Sequence, residues 1–371
     1  MTVVDVRAAT TVLHRTVIIR GGRITTVGLS DSTSIPGRIR SDQIIDGTGK
    51  YLIPGLWDMH VHLDSTDLPA LVNHGITGAR DMGGDLEQLL AWRRRISADS
   101  LVGPRLVFAG PALSGEMTPE RAVQIVDSLA ARGVDFIKVH EGLPRAAYYA
   151  IDGAALGRHL TLVGHVPAQL TPIEVAYAGQ RSIEHLEFVP DRCLTIFSAH
   201  RPPDCVASVD SMLDALARND TWLCPTIGSF RVFARQQFPA IQAGFTALVP
   251  RIRARHIALL AGTDLGSRGI IPGASLHDEL ALLVQAGFTP AEALRAATLG
   301  PAEFLGLTDS LGTVAPGMVA DVVLLNGDPL ADIRNTRSIA LVLKSGTAAL
   351  RAGLQRPTGR PSAYHSSLFH W

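Results

Sequence analysis

The sequence predicts an α/β fold, a (β/α)8 TIM barrel with a small β-sandwich domain formed by both chain ends. Short apolar strand candidates alternate with segments of helical period between residues 55 and 312. Eight such strand–helix units form a TIM barrel, which typically takes about 250 residues. The stretches on either side contain short β-type runs broken by turn residues. A chain of 371 residues that is 46% hydrophobic has enough apolar side chains for such a core.

Residues 1–54 and 313–351 are predicted to pair as the β-sandwich domain. The N-terminal part holds the runs TVVDV, RTVIIRGGRITTVG and DQIIDGTGKYLIPG, which Gly, Asp and Ser turns separate. The C-terminal part returns to the short runs TVAPG, ADVVLLNG and SIALVLKSGTAAL. We expect residues 352–371 to be a C-terminal tail with little regular structure.

The predicted barrel, residues 55–312, contains eight strand candidates. In chain order they are LWDMHVHL, GITGARDM, RLVFAG, VDFIKVH, LTLVGHV, QRSIEHLE, TWLCPTI and ALLAGTDLG. Helix signals lie between several of them. Thr118 precedes Pro119 as a helix cap, and Thr289 begins a second helix with Glu292 at the capping-box position. The segment between strands seven and eight, which begins GSFRVFARQQ, is predicted to be a helix or a small lid.

Two histidines, His60 and His62, occur in the first barrel strand, GLWDMHVHL. Side chains alternate along a strand, so both imidazoles lie on one face. Two buried imidazoles would repel each other if protonated and would need partners if neutral. A metal ion would keep both imidazoles neutral and give each a partner, since neutral imidazole is the commonest metal ligand. The alternative is a pair of hydrogen-bonded histidines near the strand end.

More polar side chains lie at or near the C-terminal ends of later strand candidates. They are Lys138 in FIKVH, His165 in LVGHVP, His185 in SIEHLE and Asp264 in AGTDLG. The spacing from His60 onward fits three, one, one and two βα units. Barrel active sites are built at the C-terminal face of the strands, so these residues predict a metal-dependent active site.

Lys138 is unusual among metal ligands because its ammonium group repels cations. Its presence is explained if CO2 carboxylates the amine, which gives an anionic carbamate that bridges two metals. The other interpretation is a snorkelling or salt-bridged lysine.

The chain resembles the amidohydrolase superfamily and is most similar to its imidazolonepropionase-like and Xaa-Pro-dipeptidase-like branch. The supporting motifs run through almost the whole chain: IPGLWDMHVHL, GITGARDMGG, FIKVH, GHVP, IEHLE, AGTDLG and LGTVAPGMVADVVLL. The resemblance implies a metal-bearing barrel with two divalent ions. Zinc is the metal we expect first, although Mn, Fe, Co or Ni would fit similar ligands. It implies that His60, His62 and Asp264 hold the more buried metal, that His165 and His185 hold the second, and that carboxylated Lys138 bridges them.

The activity that the resemblance implies is hydrolysis of a C–N bond in an amide, peptide or cyclic amide by metal-activated hydroxide. Asp264 would take the proton of the attacking hydroxide and pass it to the leaving nitrogen. Peptide or natural-product metabolism is one setting for such a reaction. A lactonase, esterase or organophosphate hydrolase would use the same metal site. A non-enzymatic binding protein should have lost at least one ligand, and all six are present here. Imidazolonepropionase itself uses one metal and no bridging lysine, so Lys138 argues against that activity.

Three further side chains are candidate substrate contacts: His140, Arg231 and His277. His140 lies two residues after Lys138 and shares its strand face, Arg231 follows strand seven, and His277 begins the last barrel helix.

Three acidic residues have separate expected roles. Asp58 should support the two histidines of the first strand. Asp81 should bond a metal-bound histidine or pair with Arg80, and Glu279 should be a cap or a helix-surface charge.

The resemblance implies a small-molecule or peptide substrate as the partner, and charge and composition argue against two other partner classes. Lys+Arg and Asp+Glu are equal at 34 each, which predicts no nucleic-acid partner and no anionic membrane. No run of 18 apolar residues and no secretory signal are evident. The three cysteines lack C-x-x-C spacing, which favours a reducing compartment and a cytoplasmic location. A homo-oligomer is common in the family and stays open.

Overall fold

The strands divide the chain into two β-rich ends and a middle of parallel strands, in a computed structural model that describes residues 1–33, 44–187, 189 and 203–351. The N-terminal strands are β1 (Thr2–Asp5), β2 (Thr10–Val12), β3 (Arg15–Arg20), β4 (Arg23–Leu29) and β5 (Tyr51–Pro54). The middle strands are β6 (Leu56–Val61), β7 (Ile76–Asp81), β8 (Arg105–Phe108), β9 (Phe136–Val139), β10 (Thr161–Gly164), β11 (Ser182–Glu184) and β12 (Trp222–Cys224). The C-terminal strands are β13 (Val322–Leu325), β14 (Ile339–Lys344) and β15 (Thr347–Arg351).

The helices lie mainly between the parallel strands. They are α1 (Asp67–Asn73), α2 (Leu86–Ser97), α3 (Pro119–Ala131), α4 (Arg145–Gly157), α5 (Pro172–Ala178), α6 (Pro203–Arg218), α7 (Ile227–Phe233), α8 (Phe238–Ala254), α9 (Ala274–Gln285), α10 (Pro290–Ala296) and α11 (Leu299–Phe304). A 3-10 helix spans Ile333–Arg337. No helix in these described ranges has the length and apolar character that a membrane crossing requires.

The capping signals in the sequence mark real helix starts. Thr118 caps α3 by accepting the backbone N–H of Arg121, and Thr289 and Glu292 form a capping box at the start of α10. Both predictions are confirmed. The segment between strands seven and eight folds as two helices, α7 and α8.

The parallel strands form two sheets, in the orders β6-β7-β8 and β12-β11-β10-β9. Leu113, which follows β8, bridges in parallel to Val139 of β9. At the other edges, residues 258–265 lie between the sheets. The backbone N–H of Leu223 donates to Ala258 O at 3.0 Å, and that of Asp264 donates to His60 O at 2.8 Å.

The prediction of an eighth regular strand in ALLAGTDLG is wrong. Asp264 has φ 62° and Gly266 has φ 107°, and a strand requires negative φ throughout. The segment nevertheless makes the inter-strand hydrogen bonds just described, so it occupies the place of a strand without the regular conformation.

Both chain ends meet in one six-stranded sheet, in the order β15-β14-β13-β5-β1-β2. Strands β5 and β13 pair antiparallel, with Leu52 opposite Leu324. The β3–β4 hairpin packs on this sheet, since Ile24 shares a buried hydrophobic cluster with Leu52 and Leu324. The predicted tail, residues 352–371, lies outside the described residues.

Side-chain alternation separates the core from the polar residues of the parallel strands. Ile137 and Ile183 are buried in the main hydrophobic cluster together with helix residues such as Val126 and Ile151. Lys138 and Glu184 are their next neighbours in sequence, so their side chains leave the opposite face of the strand. Both are buried, which places charged groups on the inner side of the sheets.

Candidate metal centre

His60 and His62 meet Asp264 at the end of β6. The Nε2 atoms of His60 and His62 lie 3.5 Å and 3.6 Å from Oδ1 of Asp264. One ligand atom from each of the three residues lies within 4.8 Å of the others. Two imidazoles and a carboxylate that converge in this way are a donor set typical of Zn²⁺ and similar divalent ions.

His165 and His185 continue the row of imidazoles at the ends of β10 and β11. The ring centroids of His185 and His60 are 4.8 Å apart, and those of His165 and His185 are 4.9 Å apart. The structure therefore brings together the four histidines that the sequence predicted to converge.

An oxygen atom lies against Nδ1 of each of these four histidines. The pairs are His60 with Glu184 Oε2 at 2.9 Å, His62 with Gly83 O at 3.1 Å, His165 with Glu187 Oε1, and His185 with Thr226 Oγ1 at 2.7 Å. Metal-binding histidines typically donate one ring N–H to such an oxygen and offer the other nitrogen to the metal. The arrangement leaves Nε2 of each ring as the available ligand atom.

Lys138 lies among these groups with its side chain 1% exposed. Burial lowers the pKa of Lys138 below its usual value, although the charges of Glu184, Glu187 and Asp264 oppose that shift. Within the described part of the chain, neither Lys138 Nζ nor His60 Nε2 has a hydrogen-bond partner. Buried polar atoms are almost always hydrogen-bonded. A metal centre would supply the partners that these two atoms lack. The residues present therefore fit a metal centre.

A buried ion pair lies behind His60. Arg80 Nη2 donates to both carboxylate oxygens of Glu184, at 3.0 Å and 2.9 Å. Its Nε donates to Met59 O at 2.6 Å, and its Nη1 donates to Ser182 Oγ at 3.1 Å. Burial would raise the pKa of Glu184, but the charges of Arg80 and then Lys138 outweigh it, so the pKa lies below its ordinary value.

Asp58 connects β6, the strand that carries His60, to the segment that carries Asp264. This agrees with its predicted role of supporting the two histidines. Its Oδ1 accepts the backbone N–H groups of His60 at 3.3 Å and Thr263 at 3.0 Å, and its Oδ2 accepts Thr263 Oγ1–H at 2.7 Å. Burial raises the pKa of Asp58 to about 7.

Asp81 has a different role from the two that were predicted. Its carboxylate accepts the backbone N–H groups of Leu63 at 2.9 Å and Gly83 at 3.1 Å. No bond from Asp81 to Arg80 or to a histidine occurs among the described residues, because Arg80 is occupied by Glu184. Asp81 instead holds the loop whose Gly83 carbonyl oxygen faces His62.

The three candidate substrate contacts lie in different places. His140 is half-buried, and its ring centroid is 4.0 Å from that of His165, so it borders the centre. Arg231 is exposed on α7, with its guanidinium 5.9 Å from the ring of Phe238.

His277 does not lie at the centre, and its predicted substrate contact is wrong. The side chain is buried, with Nδ1 2.9 Å from Thr336 Oγ1 and Nε2 3.1 Å from His74 O. The side of α9 that carries His277 faces the 3-10 helix, so both ring nitrogens bond to residues of the packed interior and neither is available to a substrate.

Glu279 is not a helix-surface charge. It is 0% exposed, and its oxygens accept the backbone N–H groups of Ile227 at 2.9 Å and Gly228 at 2.7 Å. It therefore caps the first turn of α7, a different helix from its own. Burial raises the pKa of Glu279 to about 8.

Sequence reasoning missed the oxygen atoms behind the histidines. Glu184 and Glu187 flank His185 in IEHLE, and this pair of acidic residues beside a predicted ligand was the available signal. Thr226 and Gly83 had no comparable signal, because each reaches its histidine from a distant part of the chain.

Residues 51–349 match the model of the amidohydrolase family. The chain is 26% identical to adenine deaminase 2 of Latilactobacillus sakei, over 81% of this chain and 51% of the deaminase. It is also 26% identical to imidazolonepropionase of Ralstonia nicotianae, over 90% of this chain and 92% of that protein. The chain thus spans about half the length of the adenine deaminases that it matches.

Solved structures share the fold. A Bifidobacterium longum protein assigned as a prolidase has a TM-score of 0.77 and 27% identity, over 96% of this chain and 94% of its own. A Xaa-Pro dipeptidase with bound methionine has a TM-score of 0.76 and 20% identity, over 94% and 97%, and at that identity the likeness concerns the fold alone. From the family match, which covers most of its length, we conclude that this chain belongs to the amidohydrolase family.

Proposed function

We propose that this chain is a dinuclear metal-dependent amidohydrolase that cleaves a C–N bond of a small amide, peptide or cyclic amide. One observation carries the proposal: four histidines, each with Nδ1 against an oxygen atom, surround a buried lysine and an aspartate. A purely structural cluster has no need to bond Nδ1 of all four rings and leave every Nε2 as the available ligand atom.

The proposal includes a full (β/α)8 barrel over residues 55–312. Seven parallel strands and the backbone hydrogen bonds of residues 258–265 support it. It also includes a β-sandwich domain from residues 1–54 and 313–351, which the sheet shared by both ends and its packing on the β3–β4 hairpin support.

We assign His60, His62 and Asp264 to one metal, His165 and His185 to the other, and Lys138 as a carbamate to both. Zinc suits this donor set best. When bound, the metals supply a water of lowered pKa and polarise the scissile carbonyl. The lysine assignment is supported by the burial of Nζ without a partner, since an ordinary lysine in that position would leave its buried amine without a hydrogen bond.

Asp264 is the residue best placed to move a proton. Its Oδ1 faces the Nε2 atoms of His60 and His62, while its Oδ2 accepts the Ser267 hydroxyl at 2.9 Å. We assign it the proton that leaves the attacking water, which it then donates to the leaving nitrogen. Ser267 keeps the carboxylate in one orientation during both transfers.

The substrate side of the proposal rests on His140 and Arg231. His140 borders the centre beside His165, and Arg231 is an exposed cation on the first helix after β12. An uncharged or anionic amide suits this pair. The names of the relatives, which include adenine deaminases, an imidazolonepropionase and a Xaa-Pro dipeptidase, agree with C–N bonds as targets. A cytoplasmic location is part of the same proposal, on the low cysteine content.

The test is a substrate screen on protein purified without chelator and supplied with zinc and bicarbonate. Dipeptides, N-acyl amino acids and lactams form one set, and lactones, carboxylesters and phosphotriesters form the other. We expect turnover of members of the first set, and we expect Asp264→Asn to lower it by about 10²–10⁴-fold. Turnover confined to the second set would replace the proposal by the esterase alternative. No turnover of either set by metal-loaded protein would contradict it.

A further inference from the structure

Two buried hydroxyls stand in a hydrogen-bonded series behind His185. Thr226 Oγ1 lies 2.7 Å from His185 Nδ1 and 3.3 Å from Ser229 Oγ. Ser229 Oγ in turn donates to the backbone oxygen of Thr226 at 2.8 Å. Thr226 is 0% exposed and Ser229 is 2% exposed, so bulk water does not compete for these bonds.

The series has one consistent direction. Because the Ser229 hydroxyl gives its hydrogen to Thr226 O, its oxygen is the acceptor for the Thr226 hydroxyl. Thr226 Oγ1 then has a lone pair for His185 and no hydrogen to offer it. In this arrangement the proton of His185 lies on Nδ1, which leaves the lone pair of Nε2 free.

Thr226 needs external support to stay in this position. It has φ 43° and ψ 48°, in the left-handed region, where a β-branched residue is strained. Such conformations persist only where the surroundings over-determine them. The support comes from Glu279, whose oxygens bind the N–H groups of the next two residues, Ile227 and Gly228.

We infer that Glu279 is a positioning residue for the metal centre, which acts through Thr226 and Ser229 to keep the His185 proton on Nδ1 and Nε2 available to a metal. The inference rests on the proposed function for the role of His185 as a ligand. The position of the proton can be tested without any metal.

The first experiment reads the His185 tautomer directly. Imidazole ¹⁵N chemical shifts are recorded on chelator-treated full chain, with His185 assigned from the signal lost in His185→Gln. We expect a protonated Nδ1 and an unprotonated Nε2 in the wild type. Glu279→Gln places an NH2 group against a backbone N–H and should give a mixture of tautomers, and Thr226→Ala should do the same. Thr226→Ser keeps the hydroxyl and should match the wild type.

The second experiment measures zinc affinity by competition with a chelator. Loss of a group that orients a ligand typically costs 10–100-fold in metal affinity. Glu279→Gln and Thr226→Ala should weaken one zinc ion by about that factor and leave the other within about threefold. The matched control is Asp278→Asn on the same helix, where an exposed carboxylate pairs with Arg337, and it should change neither ion.

The outcomes separate the inference from the proposed function. Wild-type tautomer and zinc affinity in both Glu279→Gln and Thr226→Ala would overturn the inference. If Glu279→Gln does not fold, the contrast between Thr226→Ala and Thr226→Ser decides, and equal behaviour of these two variants would overturn it. Failure of the wild type to bind two zinc ions would refute the dinuclear proposal, while the ¹⁵N shifts would still decide the positioning role.

Discussion

Replacement of Lys138 by methionine should stabilise the metal-free protein against unfolding and destabilise the metal-loaded protein. The Nζ atom of Lys138 is buried without a hydrogen-bond partner among the described residues. Leaving a buried polar group unsatisfied costs about 1–3 kcal/mol. Methionine is unbranched, has a similar length and carries no amine, so Lys138→Met should raise the free energy of unfolding in chelator by about 1–3 kcal/mol.

In zinc and bicarbonate the wild type should be more stable than Lys138→Met, the reverse of the order of their unfolding free energies in chelator. Each ion that binds only the folded state adds about 2.7 kcal/mol when free zinc is one hundred times its Kd. Without the bridging carbamate, the variant loses that contribution from at least one ion. The assay is urea unfolding in chelator and in zinc with bicarbonate, with zinc counted in parallel.

Lys344→Met is the matched control for this test. Lys344 is a half-buried lysine in β14, away from the metal centre, and its replacement should not change the zinc count. A Lys138→Met protein that is destabilised in chelator and still binds two zinc ions would refute the reasoning, since Lys138 would then be an ordinary structural lysine.

Three other substitutions test the remaining roles. Asp264→Asn should keep substrate binding but lower kcat by about 10²–10⁴-fold, because the proton shuttle is gone, and normal turnover in steady-state assays would exclude that role. Arg80→Met removes the guanidinium partner of the buried Glu184 carboxylate and should cost about 3–5 kcal/mol of unfolding free energy. Adding Glu184→Gln should recover part of that loss, and equal stability of the single and double variants would contradict the ion pair. Asp58→Asn offers one acceptor oxygen where the carboxylate bonds three donors, which should cost about 1–3 kcal/mol in urea unfolding, and an unchanged midpoint would argue against its bridge to Thr263.

Most residues of the metal centre could be predicted because they stand at or near the ends of parallel strands. Strand periodicity put His60 and His62 on one face, and the common C-terminal edge of parallel strands brought His165 and His185 to them. These are local patterns combined with one rule of topology. They need no knowledge of how the individual loops fold.

The supporting groups could not be predicted in the same way. Glu279 lies on α9 and bonds the start of α7, and its sequence context is that of an ordinary polar position on a helix. Thr226, which precedes the two residues that Glu279 bonds, adopts a left-handed conformation that no local sequence signal predicts. Such contacts depend on tertiary packing, which periodicity does not encode.

The two errors in the predicted barrel have local causes. The apolar run in ALLAGTDLG has strand composition, but the positive φ of Asp264 ends the extended conformation just where the ligand is needed. His277 was expected at the pocket because it begins a helix after the last strand. The rotation of α9 about its axis determines whether such a residue faces the pocket or a neighbouring element. Here the His277 ring faces the 3-10 helix and contacts Thr336.

The most direct test of the central claim is the metal content of the chain, by elemental analysis of protein purified without chelator. We predict about two divalent ions per chain in the wild type and about one or fewer in Lys138→Met. A wild-type value near zero, unchanged after addition of zinc and bicarbonate, would contradict the account.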